Sequence, residues 1–356
     1  TEDDFNLYVA YTFSPVLPTG TQEAFVIIYK INGFSEDANS DEEAVFFDDV
    51  TGSMISVSIA TNDRAVYDKQ YIAFAYSSRD INQERSFIYY VYTDNDFKST
   101  KKVCVVSDPE DEDEVSYYYY DYNDLELSIG TNYKKGDYMA ILYRRYEQSD
   151  NGAIYRYGVF MSYVDDAVNY TGNKLYGEDR EHVKMAFYNN NEMESQMYGY
   201  GFLSYVIAYP DDDELVINIP QVYNFEYSLA ELETQEYSFH ATNGNSFHAC
   251  DVVYDKNSNK YFLCYILFNK NTNKYEYYQR SVNANVINNA SSWSNPIAFS
   301  ISSNDKPGRI SIDVDPRYSE KSCWAWYRLK DDLHKYYFDA SWRNSGTGID
   351  NNLQII

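Results

Sequence analysis

The chain has 356 residues and a mass of 41.6 kDa, with 44% hydrophobic and 18% aromatic residues, and its 55 acidic against 29 basic side chains give a formal charge of -26. A surface of that sign repels phosphate backbones and anionic headgroups, which argues against nucleic acid as a partner. No apolar run approaches the roughly 20 residues that a membrane-spanning helix needs, which argues against membrane insertion.

The 41 tyrosines fall mostly in short alternating runs, and Tyr favours a pleated, half-buried strand. The expectation is an all-β chain. It begins at Thr1 with no charged segment leading into an apolar one, which fits either a processed secreted chain, the favoured reading, or a trimmed one. Strands are expected at Leu7 to Phe13, Phe25 to Ile31 and Val45 to Phe47.

From there one pattern recurs: an apolar strand, a turn built on Tyr, Asp or Lys, a second strand closing on an aromatic residue, and a Tyr-rich third strand. Ile55 to Ala60, Tyr71 to Tyr76 and Phe87 to Tyr92 form the first copy, and Leu125 to Ile129, Tyr138 to Tyr143 and Ile154 to Tyr163 the second. A fainter copy runs through Val183 to Tyr188, Phe202 to Tyr209 and Leu215 to Ile219. The segment 223–247 is irregular and reads as an insertion with a short helical turn around Ser228 to Glu233. His248 to Val253, Tyr261 to Tyr265 and Tyr275 to Arg280 follow, then Ile310 to Val314, Cys323 to Tyr327 and Tyr336 to Trp342. Corresponding points at Tyr67, Tyr133, Tyr188, Tyr254 and Asp315 lie 66, 55, 66 and 61 residues apart. That is the length of a four-stranded blade with long loops.

The expected fold is therefore a six-bladed β-propeller of four-stranded blades, five or seven being the alternatives. A single domain spans 1–356, with blades near 1–50, 51–107, 115–178, 181–245, 246–303 and 304–356. The C-terminal Leu353 to Ile356 is expected to complete the N-terminal strands and so remove a sheet edge.

Candidate site residues are few. The acidic runs from Asp108 to Glu114 and Asp211 to Glu214 offer Asp111, Asp113, Asp211 and Asp213 as oxygen ligands for Ca²⁺, although neither has the spacing of a preformed calcium loop. No other cofactor is indicated. The four cysteines, Cys104, Cys250, Cys264 and Cys323, are too scattered for a metal site, but Cys250 and Cys264 fall on consecutive strands of one hairpin and are the candidates for a disulfide. Asn169 and Asn289 head the sequons Asn-Tyr-Thr and Asn-Ala-Ser and are candidates for glycosylation. Trp324, Trp326, Tyr327 and Trp342 form an aromatic group suited to stacking on sugars.

One stretch resembles a known family. Tyr277-Tyr278-Gln279-Arg280-Ser281, a loop, then Ser292-Trp293-Ser294-Asn295-Pro296-Ile297 is similar to the Asp-box region of the six-bladed sialidase-like propellers. There a third strand ends in serine and a Trp-Ser-x-Pro segment opens the outer strand. Thr93-Asp94-Asn95-Asp96 and Ser341 to Gly346 are degraded versions. The resemblance implies a propeller. It also implies three arginines gripping a substrate carboxylate, the first in an Arg-Ile-Pro motif, with a tyrosine nucleophile. No arginine precedes Arg64 and no such motif occurs, leaving Arg309 as the best candidate for an anion-binding residue. No HExxH, GxSxG, P-loop or dinucleotide fingerprint is present.

The resulting expectation is a non-enzymatic extracellular or cell-surface propeller, working in self-assembly or recognition through aromatic surfaces. Its partners would be copies of itself, other extracellular proteins or glycans. The alternatives are a glycan-binding lectin and a divergent sialidase-like glycoside hydrolase.

Overall fold

The computed structural model describes residues 7–13, 24–31, 42–50, 56–61, 71–80, 85–107, 120–132, 136–147, 153–161, 170–176, 182–188, 203–222, 234–304, 306–314, 322–330, 335–343 and 349–355. Among these, strands are joined by turns and two single-turn 3-10 helices, and no α-helix occurs. The chain divides into two compact units, residues 1–180 with 225–230 and residues 181–224 with 231–356.

Unit 1 holds three antiparallel sheets. β1 (Leu7–Phe13), β2 (Ala24–Ile31) and β3 (Glu42–Val50) form the first. β4 (Val57–Thr61), β5 (Ile72–Asp80), β6 (Arg85–Thr93) and β7 (Lys101–Ser107) form the second. β8 (Tyr120–Asn132), β9 (Gly136–Glu147), β10 (Ala153–Met161) and β11 (Tyr170–Tyr176) form the third. The middle sheet is covered on both faces. Phe74, Tyr76 and Val91 meet Val26 and Ile28 on one side, while Ala73, Ala75, Ile88 and Tyr90 meet Leu125, Leu127, Met139 and Ile141 on the other. That is why the sequence from Ile72 to Tyr76 is continuously apolar rather than alternating.

Unit 2 repeats the arrangement. β12 (Lys184–Tyr188), β13 (Leu203–Asp211), β14 (Glu214–Val222) and β15 (Thr234–His240) form one sheet. β16 (Ser246–Asp255), β17 (Lys260–Asn269), β18 (Lys274–Asn283) and β19 (Ile297–Ser303) form the next. β20 (Pro307–Val314), β21 (Ser322–Lys330), β22 (Lys335–Arg343) and β23 (Ile349–Ile355) form the last. The middle sheet is again sandwiched: Cys250, Val252, Tyr261 and Leu263 pack toward Ala186, Val206 and Ile217, and Ala249, Phe262, Cys264 and Ile266 pack toward Ile310 and Ile312. Tight turns use Asp or Asn in the left-handed region, as at Asp212, Asn259 and Asn273, where a short polar side chain tolerates positive φ.

Among the described residues, tyrosines of the middle sheets contribute to the core. Tyr76, Tyr90, Tyr261 and Tyr277 are among the largest fully buried side chains. Two expectations change. The C-terminal strand pairs with β22, Leu353 opposite Ala340 and Ile355 opposite Phe338, and β1 pairs with β2. Each end of the chain thus builds its own sheet, because a hairpin partner a few residues away costs far less closure entropy than one at the far end of the chain. The segment read as an insertion contains β15, which pairs along its own whole length with Glu214 to Pro220 of β14; the helical turn expected at 228–233 lies outside the described residues.

Candidate functional site

The first strand of each four-stranded sheet is an edge strand, and these edges lie side by side, β4 beside β8 in unit 1 and β16 beside both β12 and β20 in unit 2. No backbone ladder joins them, so their N–H groups need other acceptors. Side chains provide them. Ser56 Oγ accepts from Leu125 N–H at 3.0 Å and Ser58 Oγ from Leu127 N–H at 2.9 Å. Asp251 is 4% exposed and accepts from Ile312 N–H and Val252 N–H, both at 2.8 Å. Burial pushes the Asp251 carboxyl above the ordinary carboxylate range, against the pull of Lys184, these two donors and Ser311.

Three of these edge strands carry one residue too many near their start. In β8, Asn123 sits opposite Arg144 and Glu126 opposite Leu142, so the stretch between them holds an extra residue. That residue is Asp124, at φ +50°, a left-handed bulge position that Asp can occupy. In β16 the extra residue is His248, between Phe247 and Ala249. In β20 it falls at Gly308 or Arg309, between Pro307 and Ile310. A bulge re-aims a side chain that would otherwise follow the pleat. The three bulges thus set apart a carboxylate, an imidazole and the position of a guanidinium.

In unit 1 the bulge residue Asp124 (6% exposed) and Glu126 (7% exposed), two positions on, are both buried, while Leu125, Leu127 and Ile129 enter the core. In unit 2 the His248 Nε2 lies 2.6 Å from the Pro307 carbonyl oxygen. A carbonyl only accepts, so this nitrogen carries the proton. The His248 ring centre is 6.1 Å from that of His182 and 5.5 Å from that of Tyr275. Arg309 follows two residues after the carbonyl that holds His248.

The other sequence-derived candidates disperse. By register, Trp324 lies opposite Ile312 and Ser341, Trp326 opposite Ile310 and Asp339, Tyr327 opposite Phe338 and Trp342 opposite Cys323. Positions 324 and 326 therefore fall on one face of the sheet and 327 and 342 on the other. Cys250 and Cys264 are both free thiols. Cys264 pairs with Asp251 and not with Cys250, and the one-residue offset sends the two thiols to opposite faces, into different core clusters.

Asp211 pairs with Glu214 across the two-residue turn Asp212-Asp213. The backbone of that turn accepts Phe247 N–H at Asp212 and Ala241 N–H at Asp213, each at 2.7 Å. Among the described residues no three His, Cys, Asp or Glu side chains gather around a point that could hold a metal, Asp211 and Asp213 included. Asp111, Asp113 and Asn169 lie outside the described residues. Asn289 is exposed, in the loop between β18 and β19.

The Asp-box-like stretch does form a closed local structure. Ser294 Oγ accepts from Ser281 N–H at 3.0 Å and Ser294 N–H returns to Ser281 O at 2.8 Å. Trp293 is buried, its Nε1–H donating to Tyr237 OH at 2.7 Å. Burial pushes the Tyr237 phenol up to about 12, the Trp293 bond opposing it.

Sequence reasoning passed over Asp124, Glu126 and Asp251. The signal was the alternation Asp124-Leu125-Glu126-Leu127 in a first strand, where carboxylates interleave with core leucines.

No protein-family model matches the chain, and no curated protein matches it by sequence. Solved structures do. An α-L-arabinofuranosidase of Fusarium graminearum in complex with an iminosugar inhibitor is 12% identical, the match covering 94% of this chain and 92% of that one with a TM-score of 0.54. The Fusarium enzyme with arabinobiose gives 0.52 over the same coverage at 12% identity. A Penicillium chrysogenum α-L-arabinanase complexed with arabinobiose is 11% identical over 93% and 92%, with a TM-score of 0.50. The chain has an all-β propeller fold. These neighbours are arabinan-type hydrolases and not sialidases, so the likeness supports the propeller and not the sialidase kind of it. The finding also overturns the expectation of a non-enzymatic protein working by assembly or recognition, since the structures matched along the whole chain are those of enzymes. That reading had leaned on a share of the tyrosines serving as contact surface, whereas among the described residues Tyr76, Tyr90, Tyr261 and Tyr277 lie in the core.

Proposed function

We propose that the chain is a glycoside hydrolase, a single six-bladed propeller domain whose six sheets are its blades. The observation that carries the reading is the β8 bulge, which puts two buried carboxylates, Asp124 and Glu126, two positions apart on an edge strand. Cleavage of a glycosidic bond needs one carboxyl group to protonate the leaving oxygen and one carboxylate to serve as base or nucleophile at the anomeric carbon. Asp124 and Glu126 take these two roles. Arabinose-containing glycans are the first substrates to test, since the fold's neighbours are named for arabinosides. Such substrates are extracellular polysaccharides, in keeping with an extracellular place for the protein. Within unit 2, Arg309 keeps its reading as a ligand-binding residue, and Ca²⁺ remains a proposal for the run containing Asp111 and Asp113.

A fold hosts many chemistries, so the test falls on the residues. The purified protein is incubated with linear arabinan, branched arabinan, arabinobiose and an aryl α-L-arabinofuranoside, and released sugars are quantified. The wild type should release arabinose or arabino-oligosaccharides. Asp124→Asn, which keeps a residue tolerant of the left-handed region, and Glu126→Gln should each lower kcat by about 10²- to 10⁴-fold with an unchanged melting temperature. No release from any of the four substrates, or full activity in both variants, would overturn the proposal.

A further inference from the structure

The loop between β18 and β19 holds the sequon Asn289-Ala290-Ser291 in a defined conformation. Asn289 has extended backbone, φ -136° and ψ 125°. Its Oδ1 accepts from Ser291 N–H and from the Ser291 hydroxyl, both at 2.9 Å. Both bonds fall on the oxygen. Among the described residues no hydrogen bond engages Nδ2, the atom that would be modified.

The loop is braced from beneath. Gln235 Nε2–H donates to Asn288 O at 2.7 Å, Tyr237 OH donates to Ile287 O at 2.5 Å, and Trp293 is buried below. Above, Asn288, Asn289, Ser291 and Ser292 are all exposed. Three large hydrophobic side chains are exposed among the described residues, and two of them, Val286 at 49% and Ile297 at 44%, flank this sequon.

We propose that Asn289 is a site of N-linked glycosylation, its substrate a lipid pyrophosphate-linked oligosaccharide supplied in the secretory pathway. The bond that forms joins Asn289 Nδ2 to the anomeric carbon. The bond that breaks is that carbon's link to the pyrophosphate oxygen. The lipid pyrophosphate leaves with the electron pair, and the amide nitrogen gives up one proton to the transferase. The Ser291 hydroxyl bonded to Oδ1 fixes the carboxamide and marks which residue after Asn289 completes the sequon. The assignment is independent of the hydrolase reading.

The full chain is expressed through the secretory pathway of a eukaryotic host, and the peptide containing Asn289 is mapped by mass spectrometry before and after enzymatic removal of N-glycans. The expected result is a carbohydrate mass on that peptide, lost on treatment with conversion of Asn289 to Asp. Asn289→Gln and Ser291→Ala should abolish it, and Ser291→Thr, which keeps the hydroxyl, should retain it. Asn169→Gln should leave it in place. A secreted, folded wild type whose Asn289 peptide carries no carbohydrate would overturn the assignment, as would carbohydrate that persists in Ser291→Ala.

Discussion

Asp96 of unit 1, in the turn between β6 and β7, and Asp251 of unit 2, in the middle of β16, each tie together two sheets of their own unit, yet their carboxyls are shifted in opposite directions. Asp96 is 41% exposed. It accepts from Tyr8 OH and Lys30 Nζ, both at 2.5 Å, across to β1 and β2. Partial burial pushes its carboxyl up, but the hydrogen bonds from Lys30 and Tyr8 win and hold it below the usual range. Asp251 is wholly inside, and desolvation outweighs the pull of Lys184, of the two backbone donors and of Ser311. What decides the sign is how much water each carboxylate gives up, since both have a lysine charge acting on them.

The largest effect should come from Asp251→Ala, which leaves Ile312 N–H and Val252 N–H without their acceptor in a dry interior. A loss of about 2–5 kcal/mol in urea unfolding is expected. A loss below about 1 kcal/mol would mean that the β16 to β20 join does not depend on this carboxyl.

Asp251→Asn keeps an acceptor and removes the titration. Because the folded pKa of Asp251 is raised, its contribution is fully present below the ordinary carboxylate pKa and fades as pH rises through the folded value. Wild type should therefore lose stability relative to Asp251→Asn as pH rises above the ordinary carboxylate value, by up to about 1.4 kcal/mol for each pH unit of the shift. Parallel stability curves for the two proteins would contradict the raised value.

Asp96→Asn should do the reverse on a smaller scale. The lowered folded pKa makes the contribution of Asp96 present above the ordinary value and lost as pH falls through the folded one. With a carboxylate this exposed the cost at pH 7 should be about 1 kcal/mol or less, and it should shrink in about 1 M salt, where charges are screened within about 3 Å. A salt-insensitive cost would show that Asp96 acts through the shape of its turn, where Asp96 and Phe97 both have positive φ.

The repeat was legible because each middle strand is compelled by burial. Tyr71 to Tyr76 and Tyr261 to Tyr265 read as strands from their unbroken apolar runs, and the structure places them in β5 and β17. The outer strands were not legible. β7 opens on Lys101 and Lys102, both exposed, and β11 reads Tyr-Thr-Gly-Asn-Lys-Leu-Tyr; a strand with one free edge has little apolar pattern to show. Pairing partners were illegible for another reason. Leu353 to Ile356 alternates like any strand, and alternation does not say which edge it joins. At Cys250 and Cys264 the hairpin was read correctly but its register was not, and register decides which face a thiol takes. The site suffered most. Arg309 was chosen for its residue type, whereas the bulge that distinguishes its position, like those at Asp124 and His248, is one extra residue that appears only when two strands are laid side by side.

The stitches between neighbouring sheets have a consequence for how such a chain can diverge. A backbone ladder tolerates almost any side chain except proline, so most substitutions leave it unaltered. The joins made by Ser56, Ser58 and Asp251 are written wholly in side chains, and two different chemistries, hydroxyl and carboxyl, already serve the same purpose. Each join is a separate locus, free to be rewritten without disturbing the next. A chain joined in this way can share only 12% of its residues with a solved structure and still match its fold along 94% of its own length.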